Sequence, residues 1–134
     1  MILSPFWFRD SRGETSIQAV LLVPLVFGFF FLGVHAASVA YGSHVATIAA
    51  GRGAQMAAAA STQGPDIVAA LNEVERVVKE LGAKMSATPG IRIDSESVTV
   101  NVTLDIQRVV PFLPSRVSRN AHVSRERFIM EQDR

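Results

Sequence analysis

The chain has 134 residues, a formal net charge of +1 and no cysteine. Near-neutral charge supplies no field to hold nucleic acid, and the missing thiols exclude disulfides and thiolate metal sites. What remains is room for one small domain beside any membrane segment.

Residues 1–13 form a short leader that carries Arg9 and Arg12. Residues 15–51 then hold no Lys, Arg, Asp or Glu, thirty-seven positions in a row. The first part of that run, residues 17–34, is almost entirely Val, Leu, Phe and Ala. Roughly 20 apolar residues in a helix cross the hydrocarbon core of a bilayer, and a helix apolar on every face has no side for water. The lipid bilayer is therefore the first expected partner. Arg9 and Arg12 precede the run, and the next basic residue is Arg52. Short basic flanks stay on the cytoplasmic side, so the expected arrangement is a single pass through the cytoplasmic membrane, N-terminus in and C-terminal domain outside. Two other fates compete with a retained, processed helix. Val34-His35-Ala36 has the small-x-small form of a secretory cleavage site, and a cut after Ala36 would release a soluble domain. An uncleaved signal anchor is the third possibility.

The pattern predicts one helix over residues 14–61, a transmembrane half followed by an Ala-rich extension, with a kink at Pro24. Ala36, Ala40, Ala46, Ala50 and Ala54 stand at spacings that let a second helix approach closely. The bland explanation of the same residues is the high helix propensity of Ala. Ser61-Thr62-Gln63-Gly64-Pro65 ends the segment. An extracytoplasmic α+β domain follows over residues 65–134. Its helix is expected at residues 65–86, with Ile67, Leu71, Val74, Val78, Leu81 and Met85 as one stripe, and Glu75–Lys79 and Glu80–Lys84 as supporting pairs. After Pro89-Gly90 the period changes to two. Strands are expected at about 91–94, 97–107 and 117–125, with Val98, Val100, Val102, Leu104 and Ile106 on one face of a small three-stranded antiparallel sheet. Pro111-Phe112-Leu113-Pro114-Ser115 reads as a connection. At some 70 residues this domain is marginal as a free-standing core and is expected to lean on the long helix or on neighbouring copies.

No constellation for catalysis stands out. His35, His44 and His122 are scattered, and no phosphate loop, nucleophile elbow or metal-ligand spacing occurs. No enzyme activity, cofactor, metal or small-molecule substrate is expected. Arg108, Arg116, Arg119, Arg125 and Arg127 make the last quarter basic; a solvated rim explains them, and attraction to anionic lipid is the functional alternative.

One arrangement is more specific. Arg9-Asp10-Ser11-Arg12-Gly13 stands directly before the apolar helix. It resembles a type IV prepilin leader, in which the cut follows the Gly and the whole helix is kept. With Ala19-Val20-Leu21-Leu22-Val23-Pro24, Ala49-Ala50-Gly51-Arg52-Gly53-Ala54 and the late strands, the chain is similar to the TadE-like family of pilus-assembly pseudopilins in tight-adherence (Flp pilus) systems. The resemblance implies processing between Gly13 and Glu14 by a prepilin peptidase. It also implies partners among pilin-like or pilus-assembly membrane proteins, and a non-catalytic role as minor pseudopilin or assembly accessory. The family usually places Glu five residues after the leader Gly, where it meets a neighbour's N-terminal amine; Gln18 stands there in this chain. Gln keeps the shape and a hydrogen-bond acceptor but loses the charge. The alternative function is a tethered or secreted structural or binding protein unrelated to pili.

Overall fold

The computed structural model describes residues 12–59 and 66–125. The element order is α1 (Arg12–Ala59), α2 (Ile67–Glu80), β1 (Lys84–Met85), β2 (Gly90–Ile93), β3 (Ser97–Asp105) and β4 (Arg116–Ser124). The architecture is α+β: a long apolar N-terminal helix, a second helix and a small antiparallel sheet.

α1 is one helix of 48 residues that runs unbroken past Pro24. At 1.5 Å per residue it is about 72 Å long. α2 starts at Asp66, whose carboxylate accepts from the Ala69 N–H at 2.9 Å, a side-chain cap on one of the helix's orphan donors. It ends six residues short of the expected 86. Gly82 takes a positive φ of 67°, its N–H bonds Lys79 O at 3.0 Å, and the Ala83 N–H bonds Val78 O at 3.0 Å. This is the αL stop that glycine permits and most residues resist. Lys84 and Met85, expected in the helix, form an edge strand instead.

β3 is the centre of the sheet. β4 pairs with it along its whole length, from Ser97↔Ser124 to Asp105↔Arg116. Its other edge is shared by β2, from Gly90↔Asn101 to Ile93↔Val98, and β1, at Lys84↔Asp105 and Met85↔Leu104. Between Met85 and Gly90 four residues face only Val102 and Thr103, so β1 and β2 are one row broken by an insertion at Ser86-Ala87-Thr88-Pro89. Pro89 can donate nothing to a ladder there. The sheet has four strands rather than three, in three rows. The β3–β4 ladder ends at Asp105 rather than residue 107, and the Ile106 N–H to Ser115 O bond of 2.7 Å closes its mouth.

The alternation in β3 sorts the faces. Val98, Val100, Val102 and Leu104 are buried, and Thr99, Asn101, Thr103 and Asp105 face outward. The buried set meets Val45, Ala46, Ala49, Ala50, Ala54 and Ala57 of α1, and Ala70, Val74, Val77 and Val78 of α2. Val74 and Val78 of the expected stripe are thus buried and Leu71 is half-buried, while Ile67 and Leu81 at its ends stay exposed. The reason is Gly53. A Cβ on Gly53 would run into Val74 Cγ2 and stand 3.6 Å from the Ala70 carbonyl oxygen, so α2 is seated against bare helix backbone. On the solvent side of α2, Arg76 bridges Glu73 at 2.7 Å and Glu80 at 2.6 Å. The expected Glu80–Lys84 pair is lost because Lys84 has left the helix.

Two predictions follow from this packing. Gly53→Ala must displace a buried Val and is expected to destabilise the fold by about 1–3 kcal/mol. Gly51→Ala, where an added Cβ meets nothing within 4 Å, is expected to stabilise it by about 0.5–1 kcal/mol. Thermal unfolding of the purified full chain in detergent reads both. A third prediction concerns pH. Hydrogen bonding to Arg76 holds the Glu73 carboxyl below its ordinary value; burial partly opposes it, and the charges of Arg76 and Arg52 add smaller downward pulls. A depressed folded-state pKa adds stability above the unfolded value and loses it as pH falls through the folded one. The melting-temperature gap between wild type and Glu73→Gln should therefore be widest near neutral pH and close below about pH 4, the unfolded carboxyl range.

Candidate functional site

Two halves of α1 live in different surroundings. From Ile17 to Val34 every large apolar side chain is exposed: Leu21 is 71% accessible, Phe29 67% and Leu25 57%. In its most apolar window none of the helix is buried. From Val45 to Ala57 the domain packs on the helix, and Ala46, Ala49, Ala50, Ala54 and Ala57 have no accessible surface. The bare stretch of 18 residues is about 27 Å long against roughly 30 Å of hydrocarbon. α1 is long and apolar enough to cross a membrane, and the domain begins where that length is used up.

The boundary is built from a few contacts. Both α2 and β3 run antiparallel to α1. Gly53 lies against Val74 and Val100, whereas Gly42, about 16 Å nearer the bare half, lies against Ile106. At the same end the Tyr41 hydroxyl donates to Leu81 O at 2.9 Å, and Arg119 Nη2 donates to Ser43 Oγ at 3.0 Å. Arg119 points inward from β4, opposite Val102. A groove of about 860 Å³ opens here between Val34, Ala37 and Tyr41 on one side and Gly82, Lys84 and Ile106 on the other. His35 is only 4% exposed, and its Nδ1 has no hydrogen-bond partner.

The outer face of the sheet is polar. Thr99 Oγ1 meets His122 Nδ1 at 3.2 Å, Asn101 Nδ2 donates to Ser118 Oγ at 3.1 Å, and Arg116 Nε donates to Asp105 Oδ1 at 3.3 Å. These are exposed cross-strand pairs of modest worth. His44 is exposed on α1, so the three histidines stay apart. Among the described residues no three His, Asp or Glu side chains come together as a metal site.

The residues expected to act fall into three groups. Arg9 lies outside the described residues; Arg12, Gly13 and Glu14 form the start of α1, so the expected cleavage point lies where the helix begins. Gln18 is exposed in the bare half, and Pro24 is inside it. Of the small residues, Ala46, Ala50 and Ala54 are buried inside the molecule, under α2 and the sheet, while Ala36 and Ala40 face outward. The stripe is therefore divided between an internal seat and a free surface, because before Val45 the domain covers only the face of α1 that carries His35 and Gly42, and Ala36 and Ala40 lie off it. Sequence reasoning passed over Gly53, the Tyr41 and Arg119 ties, and Phe112. An aromatic residue in a turn, where Gly, Asn and Asp prevail, was the signal for the last of these.

No family model, curated protein or solved structure matches the chain.

Val26 stands near the middle of the bare stretch. Val26→Arg is expected to cost about 2.5–3.5 kcal/mol of insertion into lipid and to lower the fraction of protein that resists alkaline carbonate extraction from membranes.

Proposed function

We propose that the protein is a single-pass membrane protein of assembly, a TadE-like minor pseudopilin or pilus-assembly accessory without catalytic chemistry. One observation carries the reading: a single 48-residue helix is bare and apolar for a bilayer's thickness and then becomes the spine of a small sheet domain. A rod shared by lipid and domain is what a subunit needs if its helix is to pack beside other helices while its domain docks outside. The Arg12-Gly13 pair at the start of that helix is in keeping with a prepilin-like processing site, and the basic flank favours an orientation with the domain on the outer side of the cytoplasmic membrane. Exposed Ala36 and Ala40 give a pilin-like neighbour a place of close approach. Gln18 is uncharged, so lateral pairing at that level rests on a neutral hydrogen bond and not on an ion pair.

The mature N-terminus tests this. Mass spectrometry of the protein extracted from its native membrane is expected to find a start at Glu14. A start at Ala37 would replace the reading with a secreted domain, and an intact leader would reduce it to a plain tethered protein.

A further inference from the structure

The β3–β4 hairpin ends in an apolar turn whose Phe112 is left uncovered among the described residues, with Val110 and Leu113 half-buried beside it. Leu113 N–H bonds Val110 O at 3.3 Å, making a tight turn of Val110-Pro111-Phe112-Leu113. Phe112 is 94% exposed, more than any other large apolar residue described, including those of the bare helix. Burying a Phe is strongly favourable, and a turn has no structural need of one. Pro111 and Pro114 restrict the backbone on both sides.

The tip points along the bare half of α1. β3 runs toward that half, from Val100 beside Gly53 to Ile106 beside Gly42, and the hairpin mouth closes at Ile106 and Ser115. From Ser115 to Phe112 is three residues, a reach of up to about 10 Å. From Gly42 down to Val34 is eight residues of helix, about 12 Å. At full reach Phe112 would come within a side chain's length of the level at which the apolar run ends. His35 agrees with this. It sits seven residues before Gly42 on the same helix face and is 4% exposed, so the face of α1 that meets Ile106 at Gly42 is still covered at this level. Gly82 and Lys84 lie around the helix from it, on the groove side with Val34, Ala37 and Tyr41.

Cations ring the same end. Arg108 and Arg116 flank the turn, with Arg108 Nη2 bonded to Ser115 Oγ at 3.2 Å, and Lys84 lies two strands over, across Asp105. All three are exposed, and Asp105 is the acidic residue among them. Leu81, 36% exposed, closes the end of α2 beside Tyr41.

We propose that this hairpin tip is a second lipid contact, which inserts Phe112 into the bilayer interface and sets Arg108, Arg116 and Lys84 against anionic phospholipid headgroups. The inference rests on α1 spanning the membrane. An apolar wedge beneath a cationic collar is the chemistry of an interfacial anchor. With α1 it holds the domain at two points.

The test uses the full chain in phosphatidylcholine–phosphatidylglycerol vesicles, with Trp7, the one tryptophan, replaced in Trp7→Phe. In that background Phe112→Trp reports on the tip and Val26→Trp on the helix. Lipids brominated near the headgroup should quench the indole of Phe112→Trp more than lipids brominated near the bilayer centre, and its emission should shift to shorter wavelength. Adding Arg108→Gln should lower the inserted population about fivefold. Water-like, unquenched emission from Phe112→Trp, with Val26→Trp quenched by deep bromines, would overturn the proposal and leave the spanning helix standing. A blue-shifted Phe112→Trp that no bromolipid quenches would assign the tip to a protein contact and overturn it too. If neither indole is quenched, α1 does not span, and that reading and this one fall together.

Discussion

Backbone-close packing at Gly53 is the contact on which the rest of the molecule depends. Because α1 shows α2 no side chain there, Val74 can sit over helix backbone while Val100 of β3 lies near the same point. The core built around it is thin: the largest fully buried side chains are one Leu and five Val, and the α1 contribution beyond Val45 is alanine. Small side chains bring three elements into contact without large ones to fill a gap, and they let dispersion work over a short distance. With a core of this kind, a domain of about seventy residues has little stability apart from α1, in keeping with how small scaffolds behave. The helix is a wall of the domain as well as its tether.

That seat also fixes direction. Once Val74 is set against Gly53, α2 runs back along α1 and delivers Leu81 to Tyr41. β3 runs the same way and delivers Ile106 to Gly42. Every loop that joins these elements at the near end, at residues 81–84 and 106–115, therefore faces the bare half of the helix. Placement of the polar sheet face is the complementary consequence: Thr99, Asn101 and Thr103 must look away from α1 because Val98, Val100 and Val102 look toward it.

Much of this was legible in the chain before any coordinates. The uncharged run gave the bare helix, since composition alone decides whether a helix has a polar side. Strict alternation over β3 gave the centre of the sheet and its buried face. The errors came where local pattern and tertiary contact disagreed. The expected stripe of α2 holds at its middle, where Val74 and Val78 are buried, and fails at its ends, where Ile67 and Leu81 stay exposed, because the contact with α1 is centred on Gly53. Lys84 and Met85 kept the helical period too, but Gly82 in the left-handed region ended it, and β3 offered them an unpaired edge. Ala36 and Ala46 look alike in sequence and differ in use. Nothing local says where along a helix a later domain begins to cover it.

A long helix emerging from a bilayer can tilt and rotate freely unless something outside the hydrocarbon holds it. Its own composition cannot set the angle, since an apolar stretch of adequate length tolerates a range of tilts and takes a particular one from packing and interfacial anchors. In this molecule the small residues that could accept a neighbouring helix, Ala36 and Ala40, lie on the exposed turns just before the domain. Their usefulness to a partner depends on the face they present. The domain is fixed to α1 by Arg119 on Ser43 and Tyr41 on Leu81, so anything that holds the domain's underside at the membrane surface also fixes the rotation of α1. If the hairpin tip inserts as proposed, its exposed Phe and basic collar supply that constraint from the domain side. A helix otherwise free to present any face would then present a chosen one, which is what the proposed packing beside like helices requires.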